Sequence, residues 1–204
     1  GLAFLAEGNS SGGSISFNEN ARYIPEEEGT PSQLRSGMLV TLLAVNTDNS
    51  TAVADGLLVN FNPQYSNAVD NEDAVKINNS SENIAVAVAG QSLVVENRNI
   101  NERKDTIHLV LSNLRAQQYR FSISTAGLGR EKRMAWLIDH YTGSNTPLQQ
   151  EGNTVIDFSA DNNPASYAGN RFKIVFEEMV TVPVKFVSVK ANNAADHTIH
   201  IDWQ

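Results

Sequence analysis

Apolar and polar residues alternate with a period of two along much of this chain. The alternation is clearest in residues 106–111, 119–124 and 171–176, where every second side chain is apolar. Successive side chains of a β-strand point to opposite faces, so this period predicts strands with one buried face. Such runs recur roughly every 8–15 residues with Gly, Pro, Asn or Asp between them, which is typical of antiparallel β proteins.

Other apolar runs predict further strands. Residues 37–45 are almost continuously apolar, which indicates a central strand covered on both faces. The polar stretch 46–50 predicts a turn, and the mixed charges of residues 96–104 predict a solvent-facing loop. No amphipathic helix longer than about two turns is visible. The remaining predicted strands are 14–17, 57–61, 84–88, 92–95, 134–138, 154–158, 184–189 and 198–203.

These elements predict an all-β fold, namely a two-sheet antiparallel β-sandwich that is jelly-roll-like, with a C-terminal β-hairpin. We place the sandwich at residues 14–180, after a flexible N-terminal segment at residues 1–13. Residues 181–204 form the hairpin, which starts at the boundary signal Val182-Pro183. A parallel α/β fold is excluded because the helices that must connect parallel strands are missing.

The composition of the chain limits which partners and which chemistry are expected. The 204 residues carry a net charge of -8 and are 41% hydrophobic, which suffices for a substantial core. The acidic balance argues against nucleic acid and anionic membrane surfaces as partners, and no apolar run reaches the ~20 residues that span a bilayer. The absence of cysteine excludes disulfides and thiol chemistry. Residues 1–4 lack the basic start of a signal peptide, so we expect an excised piece of a longer protein.

A set of short strand and turn blocks runs from about residue 35 to the end of the chain. Together they resemble the region that precedes the C-terminal sorting module in large surface proteins of Bacteroidetes that leave the cell by type IX secretion. The blocks are Ala54-Asp55-Gly56, Tyr65-Ser66-Asn67, Asp73-Ala74-Val75-Lys76, Glu82-Asn83, Asp105-Thr106-Ile107, Tyr119-Arg120-Phe121, Thr146-Pro147-Leu148, Ala165-Ser166-Tyr167, residues 170–176 and residues 182–191.

The resemblance implies a secreted or cell-surface location and a non-catalytic structural or interaction role, as an adhesion or spacer domain. The family offers no catalytic residues to carry over. Its Pro183-Val184-Lys185-Phe186 segment looks like the first strand of a following fibronectin-like or sorting module. The implied partners are neighbouring domains of the same chain and polysaccharide or surface matrix. The alternative is a carbohydrate-binding module of a secreted multidomain protein.

An acidic cluster follows the strand of residues 57–61 and is the main local group of side chains that could bind a ligand or an ion. It consists of Asp70, Glu72 and Asp73. Carboxylate oxygens in a loop are the ligands that calcium prefers, so this cluster is a candidate calcium site; apart from this candidate, no cofactor is expected. The spacing does not match the helix-loop-helix calcium motif. The alternative is that Asp70 and Asp73 cap turn amides, with their charge offset by Lys76 or a distant arginine.

The aromatic residues Trp136, Tyr141 and Tyr167 are candidates for a sugar-binding platform, and their alternative role is core packing. His197 and His200 lie three apart on a predicted strand and therefore point to opposite faces, which argues against a shared zinc ion. No G-x-S-x-G turn is present, and nothing marks a pair of facing carboxylates, so the sequence predicts no catalytic residue.

Overall fold

The computed structural model describes residues 36–100, 104–130, 132–179, 189–193 and 198–203. The described residues contain one short 3-10 helix, Pro164–Tyr167, and are otherwise strands and connections, which confirms the all-β prediction. None of their helices has the length and hydropathy to cross a bilayer. The strands are β1 Gly37–Val45, β2 Thr51–Phe61, β3 Ala74–Val75, β4 Asn83–Val88, β5 Gln91–Arg98, β6 Lys104–Ser112, β7 Gln117–Ala126, β8 Arg133–Asp139, β9 Ser144–Pro147, β10 Gly152–Ala160, β11 Phe172–Glu178, β12 Val189–Asn193 and β13 Ile199–Trp203.

One continuous sheet holds the first eleven strands. Its order is β10-β7-β1-β2-β5-β4-β6-β11-β8-β9, with β3 paired to β5. The prediction of a purely antiparallel sheet is wrong at one place, because β2 and β5 run parallel. The chain leaves β2 at Phe61 and passes through residues 62–90 before it re-enters beside β2, so the crossover allows a parallel pair. The division into two separate sheets is not confirmed.

The sheet is nearly closed into a barrel, and its two arms meet across the apolar interior. Phe172 of β11 packs against Phe121 of β7 and Phe158 of β10, with ring centroids 5.0 and 4.8 Å apart. Elsewhere in the core, the ring centroids of Phe176 in β11 and Phe61 in β2 lie 5.5 Å apart. A twisted sheet of this many strands curls readily, and curling removes the apolar faces of distant strands from water together.

The period-two predictions hold in the central strands. Ile107, Leu109 and Leu111 of β6 are buried, as are Tyr119, Phe121 and Ile123 of β7. These six side chains lie in the same core cluster. The expectation that residues 37–45 are covered on both faces is wrong at Leu39, which is 43% exposed on the outer face of β1.

Three other sequence predictions need correction. Residues 96–98 belong to β5, and Glu96 and Arg98 are buried there instead of lying in a solvent-facing loop. The C-terminal hairpin pairs β12 with β13 as a separate two-stranded sheet, so Asn192 and Asn193 are strand residues where a connection was predicted. Strand β9 was not predicted, because Ser144–Pro147 has no apolar alternation. The predicted strand at 14–17 lies outside the described residues.

The stretch from residue 54 to residue 76 forms the predicted strand and long loop, and a buried ion pair closes it. The Lys76 ammonium contacts both carboxylate oxygens of Asp55, at 2.6 and 2.5 Å. The same carboxylate accepts the Ile84 amide at 2.7 Å, which ties β2 to the start of β4. Lys76 therefore balances Asp55 and not the acids at 70–73.

Candidate functional site

Arg171, which lies just before β11, makes four hydrogen bonds through its guanidinium. Its Nε and Nη2 donate to the two oxygens of Asp139, at 2.8 and 2.7 Å. Its Nη1 donates to the carbonyl oxygens of Ser159, at 2.7 Å, and Ser166, at 2.5 Å. One guanidinium thus joins the end of β8, the end of β10 and the 3-10 helix, using its fork geometry.

Aromatic rings enclose this guanidinium. Its central carbon lies 4.9 Å from the Tyr141 ring centroid, 5.1 Å from that of Phe158 and 4.7 Å from that of Phe172. Burial would raise the pKa of Asp139, but the Arg171 hydrogen bonds, the Tyr141 amide and the Arg171 charge outweigh burial and lower this pKa. The pair is therefore charged and locked in place at neutral pH.

Two clefts flank Tyr141 at the end of the sheet where the barrel stays open. The first, about 300 Å³, lies between the end strands β9 and β10, which do not pair with each other. We name this gap the seam. The second cleft, about 360 Å³, lies on the other side of Tyr141. The seam is lined by Leu137, Asp139, Tyr141, Thr142, Ser144, Thr146, residues 156–159, Asp161, Arg171 and Phe172. The second cleft is lined by His108, His140, Tyr141, Ala165, Ala168, Asn170 and Arg171.

The other two carboxylates at the seam also have partners. Asp157 accepts from Arg120 at 2.5 and 2.9 Å, and this bond lowers the pKa of Asp157. Asp161 accepts the Asn163 amide at 2.7 Å, which lowers its pKa, and the Tyr141 hydroxyl at 3.0 Å. The bond to Asp161 raises the pKa of Tyr141. The seam therefore presents fixed anions and hydroxyl groups rather than an acid with a raised pKa.

The structure does not bring the three candidate sugar-binding aromatics into one cleft. Tyr141 lines both clefts. Trp136 lies on β8 between the buried residues Ala135 and Leu137, so its half-buried ring faces the outer side of the sheet. Tyr167 ends the 3-10 helix and is 43% exposed. Of the three, only Tyr141 lines either of these two clefts.

In the acidic cluster, two of the three carboxylates bind main-chain amides. Asp70 accepts from the Glu72 amide at 2.9 Å. Asp73 accepts from the Asp70 amide at 3.0 Å and from the Asn97 amide of β5 at 2.8 Å. In the part of the chain that the structure describes, no three acidic or histidine side chains are grouped as metal ligands are. Calcium binding at Asp70, Glu72 and Asp73 stays a prediction, which melting curves in calcium and in chelator test.

The histidines His108 and His140 line the second cleft together. Nothing in the sequence associates these two histidines, because His108 lies on β6 and His140 follows β8, 32 positions later. Their strands are brought together by β11, which pairs with both. His197 lies outside the described residues, so the predicted divergence of His197 and His200 stays a prediction.

A second buried charge cluster lies on the inner side of β5. Arg98 donates to Glu96 at 3.0 Å and to both oxygens of Asp105, at 2.7 and 2.9 Å. Glu96 Oε2 and Arg98 Nε are buried without a hydrogen-bond partner. Burial raises the pKa of Glu96, Arg98 opposes that shift, and the nearby Asp73 and Asp105 reinforce it.

Replacing Glu96 tests this cluster through the pH dependence of stability. Because the pKa of Glu96 is raised in the folded state, this group stabilises the fold at pH values below 4.5, its ordinary pKa. The contribution is lost as pH rises through the folded-state pKa. Glu96→Gln keeps an acceptor for Arg98 and removes the titration. The stability of the wild type relative to this variant should therefore fall as pH rises from 4 to 7, measured by urea unfolding. A difference that is constant with pH would contradict the assigned pKa direction. Asp157→Asn is the control with the opposite sign.

No protein-family model, curated protein or solved structure matches this chain.

Proposed function

We propose that this chain is a non-catalytic interaction domain, with an adhesion or spacer role, of a secreted bacterial surface protein. The observation that carries the proposal is the state of the carboxylates at the seam. Asp139 is bound by Arg171, Asp157 by Arg120 and Asp161 by Tyr141 and a turn amide. Acid–base hydrolysis needs two facing carboxylates, one of them with a raised pKa, and these three are held charged instead.

The fold supports the same proposal. A guanidinium fixed by four hydrogen bonds and three rings makes a rigid end to the sheet. Rigid β scaffolds are suited to spacing and to presenting surfaces. The finer fold assignment, a two-sheet jelly-roll-like sandwich over residues 14–180, belongs to this proposal and is supported by the ring contacts of Phe172 across the core. The assignment of the C-terminal hairpin to a following fibronectin-like or sorting module is also part of this proposal.

Surface labelling tests the proposed location and role. Antibodies raised against residues 36–179 should label intact cells of the organism that encodes the chain, without permeabilisation. The purified domain should also leave polysaccharides uncleaved in reducing-end assays. Labelling only after permeabilisation, or release of reducing ends, would refute the proposal.

The second candidate is a carbohydrate-binding module. It is favoured by the hydroxyl and carboxylate groups around Tyr141, since Thr142, Ser144 and Asp161 line the seam together. Such groups bind sugar hydroxyls beside an aromatic ring. Retardation in affinity gels that contain polysaccharide, lost in Tyr141→Ala and kept in Tyr167→Ala, would support this candidate over a spacer role.

A further inference from the structure

β10 is a long and regular strand at the end of the sheet. Its nine residues pair with β7 on one side without a bulge, and the other side borders the seam. Proteins usually protect such edges with proline, charged side chains such as lysine, bulges or a very short strand. Of these devices, Gly152–Ala160 has only one charged side chain, Asp157, and this carboxylate is paired with Arg120 of β7. The other border of the seam is protected, because β9 has four residues and ends at Pro147.

The hydrogen bonds show which main-chain groups of β10 face the seam. The Ser159 carbonyl accepts from Arg171, which lines the seam. The Gly152 carbonyl instead accepts from Thr125 of β7. Alternate residues of an edge strand direct both main-chain groups to the same side. Asn153, Val155 and Asp157 therefore direct their N–H and C=O groups away from β7 and towards the seam. Ser159 has the same orientation, but Arg171 already occupies its carbonyl.

These groups form a row suited to an added strand. No turn or loop bond within the described residues takes up the main-chain groups of Val155 or Asp157. On the inner side, Ile156 is half-buried and packs against the core, so an added residue there would cover apolar surface. A row of unpaired main-chain groups beside alternating pockets is what β-strand addition requires.

We propose that the edge of β10, which pairs with no strand among the described residues on this side, binds an extended peptide segment of a partner protein by β-strand addition at residues 153–157. This inference rests on the proposed interaction function and names the kind of partner. A peptide is favoured over a second folded copy because Ser144 and Thr146 of β9 line the same cleft beside β10, so a single extended segment can approach this edge but the edge of another folded sheet cannot.

The side chains of β10 define the peptide chemistry. Residues of the peptide that face Ile156 are apolar, because that position borders the core. Residues on the outer side lie beside Asp157, whose carboxylate is held charged by Arg120. Because Arg120 balances this charge, the outer side of the peptide needs no particular charge, and a β-branched polar residue such as threonine is expected there. The partner segment is thus a strand that alternates apolar and polar residues.

Val155 offers a matched pair of variants. Its N–H faces the seam and not β7, so Val155→Pro removes the donor that the peptide needs without removing a bond to β7. Val155→Thr keeps the N–H and the branched shape. From a displayed library of octapeptides with apolar residues at alternate positions, the enriched peptide should bind the wild type and the threonine variant equally. It should bind the proline variant at least tenfold more weakly in fluorescence anisotropy.

Hydrogen exchange gives an independent measurement on the unmodified chain. The amides of Val155 and Asp157 should exchange rapidly in the free protein and become protected when the enriched peptide is bound. The inference is overturned if no peptide is enriched, if the peptide binds both Val155 variants equally, or if these amides gain no protection. Displacement of the peptide by oligosaccharide without amide protection would assign the seam to sugar instead. Surface labelling does not depend on Val155, so the proposed function and this inference can fail separately.

Discussion

Arg171→Met should lower the free energy of unfolding by about 3–5 kcal/mol, because it leaves Asp139 buried and charged without its partner. The two side chains are only 2% and 8% exposed, so solvent cannot replace the lost interaction. The variant also leaves the Ser159 and Ser166 carbonyls without their donor and removes the cation from between three rings. Denaturant unfolding at neutral pH measures the change.

A double variant separates the buried charge from simple loss of packing. Asp139→Asn keeps an acceptor for the Tyr141 amide and removes the charge, so adding it to Arg171→Met should restore part of the lost stability. Arg120→Met is the matched control on the exposed pair with Asp157, whose side chains are 33% and 57% exposed. It should change stability by about 0–1 kcal/mol. A loss at Arg171 as small as the loss at Arg120 would contradict the structural role assigned to the buried pair.

Phe172→Ala should have a comparable effect, about 3–5 kcal/mol, for a different reason. The ring is 2% exposed and contacts Phe121 and Phe158, which lie on the opposite arm of the sheet. Its removal leaves a cavity beside Arg171 that the rigid surroundings cannot fill. Thermal or urea unfolding measures the loss.

The control for Phe172 is an exposed apolar residue on a strand. Val53 of β2 is 72% exposed, so Val53→Ala should stay within about 0.5 kcal/mol of the wild type. Phe172→Leu should lose less than Phe172→Ala, because it keeps part of the apolar volume. Equal losses for the alanine and leucine variants would show that the ring contacts across the core do not stabilise the fold as proposed.

The site residues were harder to predict than the strands. Arg171 stands in the sequence as one polar member of an alternating run, with no feature that separates it from Lys173 two positions later. What distinguishes Arg171 is the convergence of Asp139, Ser159 and Ser166, which come from three elements. The one sequence signal for Arg171 is its position directly before a strongly apolar strand.

The aromatic candidates show the same limit. The sequence grouped Tyr141 with Trp136 and Tyr167 as a candidate sugar-binding platform, and of these three only Tyr141 lines the two clefts. The strand alternation of β8 turns Trp136 to the outer face, and Tyr167 lies on a helix after β10. Aromatic residue type alone does not say on which side of a sheet a ring lies.

The amino-acid sequence alone determined where most strands lie and which face of each is apolar, because period-two alternation is a local property. It also determined the turn at residues 46–50, where Asn49 has a positive φ of 64° and Asp48 accepts the Ser50 amide. Only the tertiary structure decided the order of the strands, the parallel pairing of β2 with β5, the burial of Arg171 and the open seam beside β10. Strands pair through main-chain groups that every residue shares, so the choice of neighbour is made by how the apolar faces close on one another.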